Sequence, residues 1–139
     1  MSVIVTDGGF GTEIWYGRYV TPDQLAANDC GTVALDLGPD AAVEALAGKL
    51  GEVALIRVAF PGFADGRGFT IARRLRLMGY TGRLRAAGHV IADQYAMARR
   101  AGFDEVEISD DLAARQPEPQ WLARANWRAH DYQSRLRGV

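Results

Sequence analysis

Two short stretches hold the residue types that could do chemistry. The first is Phe60-Pro61-Gly62-Phe63-Ala64-Asp65-Gly66-Arg67-Gly68. Its glycines permit close backbone approach, and a helix opening there would turn free N–H groups towards an anion. Arg67 adds a planar fork of donors suited to oxyanions and carboxylates, and Asp65 could act as an acid or base. The pattern is neither a Walker loop nor a dinucleotide fingerprint. A turn in which Asp65 pairs with Arg67 or caps the helix is the plainer reading. The second stretch is Ala87-Gly88-His89, leading to Asp93 and Gln94. With a helix starting at His89, His89 and Asp93 fall four residues apart on one face. A His–carboxylate pair suits general acid–base work, although a salt-bridged surface histidine is again the plainer reading. Gln94 and Tyr95 on the adjoining face could simply pack.

No other stretch carries a recognisable chemistry. The chain has no Gly-x-Ser-x-Gly elbow and no metal-ligand cluster, and His130 stands far from His89. Its single cysteine, Cys30, can form no internal disulfide and reads as a small residue beside a loop. A thiolate-held iron–sulfur cluster is excluded within one chain. The string Asp7-Gly8-Gly9-Phe10-Gly11-Thr12 is glycine-rich but reads as lacking a full strand before it and a matching helix after it.

Charge is unevenly placed. Residues 1–56 carry eight acids and two bases; residues 57–100 carry nine arginines against Asp65 and Asp93; residues 101–139 carry seven acids and five bases. The balances are −6, +7 and −2, which give the formal net charge of −1. The basic segment is short, lacks interleaved surface aromatics and sits in a mildly acidic protein, so nucleic acid is not an expected partner. Arg73, Arg76, Arg85, Arg99 and Arg100 could form no more than a solvated basic face.

These residues need a scaffold, and the pattern supplies an α/β one. A composition of 48% hydrophobic and 24% charged residues over 139 positions fits a single α/β domain, 1–139, with its own core. Strands are predicted at 32–37, 53–60, 83–87 and 106–108, and helices at 41–50, 68–78 and 89–101. Asp40 is the expected cap of the first helix and Gly102 the stop of the third. Such βα alternation implies a small parallel sheet with right-handed crossovers, half-barrel-like or open. The apolar run 53–60 suggests a strand covered on both faces. Residues 1–31 could add an edge hairpin, and a C-terminal helix at 120–136 would present Trp121, Leu122, Ala125 and Tyr132. Exposed sheet edges make a homodimer the expected state. In such sheets ligands bind beyond the strand carboxyl ends, where both chemical stretches fall.

The residues also carry a family resemblance. Phe60-Pro61-x-Phe63-x-Asp65-Gly66-Arg67-Gly68-Phe69-Thr70-x-Ala72-Arg73-x-Leu75-Arg76, then Gly79-Tyr80-x-Gly82-x-Leu84-Arg85-Ala86-x-Gly88-x-Val90-x-x-Asp93-Gln94 and Arg100-x-Gly102-Phe103-Asp104, resemble the signature of a bacterial domain family of unknown function. The family-like core covers roughly 32–109. That family is described as an oxidoreductase involved in sulfite reduction, its genes lying beside those of assimilatory sulfite reductase. The resemblance implies that Asp65, Gly66, Arg67, Arg73, Arg76, Arg85, Gly88, Asp93 and Gln94 are signature positions, and the chain departs from the family at His89, where an acidic residue is expected. The resulting expectation places Asp65, Arg67 and Asp93 as catalytic and Gly66, Arg85, Gly88 and Gln94 as anion-binding, with no metal and no assignable cofactor. The expected role is an accessory protein of sulfite reduction that binds a small oxyanion or a redox partner, such as sulfite reductase or its electron donor. A non-catalytic docking subunit, or a half-barrel enzyme acting on a phosphorylated or carboxylated metabolite, are the alternatives. Whether the chain is itself an enzyme stays open. No apolar run approaches a membrane span and no signal peptide is evident, so the expected location is cytoplasmic.

Overall fold

In the computed structural model the described residues are 2–12, 18–24 and 33–127. Cys30, His130 and Tyr132 lie outside them, as does the second half of the predicted last helix. Among the described residues seven strands form one sheet: β1 (Ser2–Thr6), β2 (Gly9–Gly11), β3 (Arg18–Val20), β4 (Val33–Leu37), β5 (Val53–Phe60), β6 (Arg83–Gly88) and β7 (Glu105–Ser109). Their spatial order is β2-β1-β7-β6-β5-β4-β3. Strands β3 to β7 are parallel, and β1 runs antiparallel to both β7 and β2. The α/β class is as expected, with five parallel strands rather than four and a β1–β2 hairpin on one edge. The string from Asp7 to Thr12 does follow a full strand: Asp7 and Gly8 form the hairpin turn.

The parallel strands lie in sequence order, so right-handed crossovers place the connecting helices on one face. The described helices are α1 (Arg67–Leu77), α2 (Tyr95–Ala101), α3 (Asp110–Arg115) and α4 (Glu118–Leu122). Ile71, Ala72 and Leu75 of α1, Tyr95 and Ala98 of α2, and Trp121 of α4 share one core with Leu35, Ile56, Val58, Leu84, Val106 and Ile108. Each such aliphatic side chain adds about 1.5–3 kcal/mol when fully buried. Phe60 closes the core, with Gly68 against its ring and Phe69 and Phe103 edge-on at 5.0 and 5.7 Å.

The alternate strand positions point to the other face, which is polar. It carries Tyr19, Asp36, Arg57, Arg83, Arg85, Glu105 and Glu107, in register across β3 to β7. Strand β5 is therefore not apolar on both sides: Arg57 interrupts it half-buried and Ala59 is exposed.

Three helix expectations need correction. Residues 41–50 form two 3-10 turns, Val43–Leu46 and Leu50–Glu52, because Asp40 provides no cap and Gly48, at φ +85°, breaks the run. Val43, Leu46 and Leu50 are nonetheless buried. Helix α2 starts at Tyr95 rather than at His89. The His89 N–H is spent on the Phe60 carbonyl at 2.9 Å, prolonging the sheet ladder, and Ala92–Gln94 is a 3-10 turn. Gly102 ends α2 in the left-handed region, φ +119°, as expected. Helix α4 begins two residues before the predicted start, with Pro119 in its first turn, and stops at Leu122. Among the described residues no helix is long and apolar enough to cross a membrane.

Candidate functional site

The loops that follow β5 and β6 meet at the carboxyl end of the sheet. Gly88, at φ +115°, lies so close to the Phe60 carbonyl that a Cβ would stand 2.7 Å from its oxygen. His89 Nδ1 is 3.2 Å from that same oxygen. A carbonyl can only accept, so Nδ1 carries the proton and Nε2 is the acceptor of the neutral ring. Phe63 packs edge-on to the imidazole, with centroids 5.0 Å apart. Gln94 ties the two loops together: its Nε2 donates to Phe63 O at 2.9 Å and its Oε1 accepts the Ile91 N–H at 3.0 Å. From a third side comes the β7–α3 junction. Ser109 Oγ accepts the Leu112 N–H at 3.1 Å, capping α3. Its hydroxyl proton can point elsewhere. Together Phe63, Gly88, His89, Ser109, Leu112 and Arg115 line a cleft of about 150 Å³. Arg115 is exposed and forms no ion pair among the described residues.

The residues expected to form one site occupy four places. Gly88 lines the cleft and Gln94 braces it. Asp65, Gly66 and Arg67 sit in the neighbouring loop, where Arg67 is held by two carboxylates: Nη2 to Asp65 at 2.6 Å and Nη1 to Asp40 at 2.5 Å. Hydrogen bonds from the Arg67 side chain and backbone hold the Asp65 carboxyl down at about 2. The three charges sum to −1, which disfavours an anion there. Asp93 is exposed and pairs with Arg124 at 2.7 Å. It does not share a helical face with His89, since the chain between them is not helical. Arg85 is fully buried on the polar face, with Nε donating to Glu105 at 2.6 Å and Nη1 to Glu107 at 2.9 Å and the Tyr19 hydroxyl at 3.0 Å.

The cleft, its braces and every signature residue lie within residues 33–138, the span matched by a family model described as "Bacterial protein of unknown function (DUF934)". The chain belongs to that family. The DUF934 match starts at the first residue of β4 and leaves β1 to β3 outside it. No curated protein sequence matches the chain.

Two polar cleft residues of this DUF934 chain, Ser109 and Arg115, escape the sequence reading. The signal for Ser109 is its place at the end of a parallel strand, followed by two acids in the first helical turn, Asp110 and Asp111. Arg115 sits among unremarkable neighbours and has no such signal. The expected solvated basic face is also revised. Arg76 donates to the carbonyls of Tyr80, Gly82 and Gly102 and to Asp104, all at 2.8–3.0 Å. Arg99 reaches Asp7 and the Phe103 carbonyl. Arg85 is internal, and Arg73 alone of the five has no bond to name among the described residues.

Proposed function

We propose that this DUF934 protein binds a small oxyanion at the carboxyl ends of β6 and β7 and serves assimilatory sulfite reduction as an accessory protein, with sulfite as the anion. The observation that carries this reading is the convergence of His89, Ser109 and Arg115 on one small cleft. Arg115 offers a bidentate fork, Ser109 a hydroxyl donor and His89 an imidazole that donates to an anion once protonated. A cleft of about 150 Å³ suits an ion of four or five heavy atoms rather than a nucleotide. The sulfur assignment rests on the family resemblance, and the partner it implies is sulfite reductase or its electron donor. In this reading Gly88 and Gln94 shape the cleft, while Asp65, Gly66 and Arg67 hold the loop that carries Phe63. Arg85 and Asp93 do not touch the anion.

Calorimetric titration of the purified chain with sulfite, sulfate and phosphate tests the proposal. Saturable sulfite binding, lost in Arg115→Ala and His89→Ala and kept in Arg73→Ala, is expected. Sulfite binding that survives Arg115→Ala, or none by the folded wild type, rejects it.

One observation favours a docking role beside this. Leu77 on α1 is 87% exposed and Met97 on α2 49% exposed, with Arg73 and Arg100 on the same two helices. Exposed apolar side chains amid arginines are the composition of a protein-binding surface. Under this reading sulfite reductase co-purifies with the wild type and is lost with Leu77→Glu. Failure to co-purify at all removes it.

A further inference from the structure

The cleft at the ends of β6 and β7 holds an asymmetry that its charge alone does not show. Ser109 Oγ accepts the Leu112 N–H at 3.1 Å, which leaves its O–H to donate to a ligand. Arg115 presents N–H donors only. His89 is the exception. Its Nδ1–H is spent on the Phe60 carbonyl at 3.2 Å, and Nε2 meets no protein group among the described residues. The side chain is exposed and lines the cleft, so Nε2 is the one ring nitrogen left for a ligand. In the neutral imidazole that nitrogen carries a lone pair. It is an acceptor in a site otherwise made of donors.

A bound anion must answer that lone pair. An oxyanion without a proton sets its own lone pairs against Nε2, and the ring must first take up a proton from solvent. An oxyanion that keeps one O–H makes the same hydrogen bond to Nε2 and brings the proton itself. Charge points to the same class. Among the described residues that line the cleft, Arg115 alone carries a permanent charge. On the elements around His89, Asp65 pairs with Arg67 in the loop of Phe63, and Asp93 of the 3-10 turn pairs with Arg124. Asp110 and Asp111 stand in the first turn of α3. One guanidinium matches one negative charge. A second would face the apolar walls of Phe63 and Leu112, where an unmatched charge is costly.

We infer that the cleft selects singly charged oxyanions that keep one acidic O–H, hydrogen sulfite over sulfite or sulfate, with His89 Nε2 as the specificity-determining acceptor. The inference rests on the oxyanion reading of the cleft and adds that the ligand supplies the proton. Bicarbonate and nitrate isolate that point, being planar monoanions of similar size that differ in one proton. Each is titrated into the full chain between about pH 7 and 9, where histidine side chains are in general mostly neutral, with binding followed by NMR at His89 and Arg115. Bicarbonate should bind about tenfold or more tightly than nitrate, the worth of one hydrogen bond to a charged group. Its affinity should stay level with pH, whereas that of nitrate should fall about tenfold per pH unit, the linkage of one proton taken up. Sulfate should not displace sulfite at the upper end of the range. His89→Gln puts there an amide that either donates or accepts. In that variant nitrate should bind like bicarbonate and lose its pH dependence; the wild-type pH series decides the matter if the variant folds poorly. Nitrate matching bicarbonate in the wild type, sulfite bound without bicarbonate, displacement by sulfate, or discrimination kept in folded His89→Gln overturns this inference alone. Binding of no anion by the folded wild type, sulfite included, overturns the oxyanion reading and this inference together.

Discussion

A single guanidinium ties together the amino-end rim of the sheet. Arg76 leaves α1 and satisfies three carbonyls from two separate loops, those of Tyr80, Gly82 and Gly102, and pairs with Asp104 at 2.9 Å. These acceptors need a planar fork, which lysine does not provide. Arg76→Lys is thus expected to destabilise nearly as much as Arg76→Ala, about 2–4 kcal/mol when hydrogen bonds to a charged group are lost together. Urea denaturation checks this, and a lysine variant as stable as the wild type would show that charge alone suffices. Asp7 plays the matching part across the hairpin. Burial pushes its carboxyl up, but hydrogen bonds from Tyr95, Arg99 and Trp127 outweigh that and leave it below its ordinary 3.8. The native state therefore favours the carboxylate more than the unfolded chain does. Its stabilisation is complete above about pH 4 and lost as pH falls through the lowered native value. Asp7→Asn should be less stable than the wild type at neutral pH, and its stability should fall less steeply below pH 4, as read from denaturation midpoints against pH. Neither role was legible in the sequence, where an Arg in a basic run and an Asp in a glycine-rich turn have no local feature that names a distant partner.

The elements were legible wherever burial and local signals agreed. Strand β5 and helix α1 stand within a residue of expectation, because an apolar run ended by Pro61-Gly62 and a stripe of Ile71, Ala72 and Leu75 admit few other structures. The 89–101 prediction failed at its start because a tertiary bond to Phe60 takes the His89 N–H before a helix can begin. Gly88 is the pivot of that failure and of the candidate cleft. Its φ of +115° strains any side chain, and a Cβ would collide with the Phe60 carbonyl. Gly88→Ala should cost about 1–3 kcal/mol in backbone strain and displace His89 from its carbonyl anchor. Sulfite binding should then be lost at temperatures where circular dichroism still shows a folded chain. Wild-type binding in that variant would mean that the β6 end does not position the imidazole. The split of the expected site has a similar origin. Gly88 and Gln94 could be placed together from one connection, and Arg67 with Asp65 from one turn, but Asp40, which also holds Arg67, and the partners of Arg85 and Asp93 come from elements remote in sequence.

At the scale of the molecule, the charge pattern that suggested a ligand site has an internal use. The basic segment supplies β5, α1, β6 and α2 at the centre of the fold, and the acidic flanks supply its neighbours. Arg57 meets Asp36, Arg67 meets Asp40 and Arg74 meets Glu44 on one side; Arg76 meets Asp104, and Arg83 and Arg85 meet Glu105 on the other. Balances of −6, +7 and −2 along the chain thus become short neutralising contacts in space. Sequential strand order is what makes this possible, since among the described residues it leaves one sheet face without connecting helices, and there Asp36, Arg57, Glu107, Arg85, Glu105 and Arg83 form a continuous alternation of charge. These pairs should differ sharply in worth according to burial. Arg74 and Glu44 are 57% and 68% exposed, and such pairs are worth about 0–1 kcal/mol. Arg85 is fully buried against Glu105, which is 8% exposed, and removing one partner of such a pair costs about 3–5 kcal/mol because the other charge is left uncompensated. Arg74→Ala should therefore leave the urea midpoint nearly unchanged, whereas Arg85→Met should lower it by much of the total stability. Removing both charges, in Arg85→Met with Glu105→Leu, should recover part of that loss. If the double variant is no more stable than Arg85→Met alone, Glu105 is held by Arg83 without Arg85, and the alternation across the sheet is not one cooperative network.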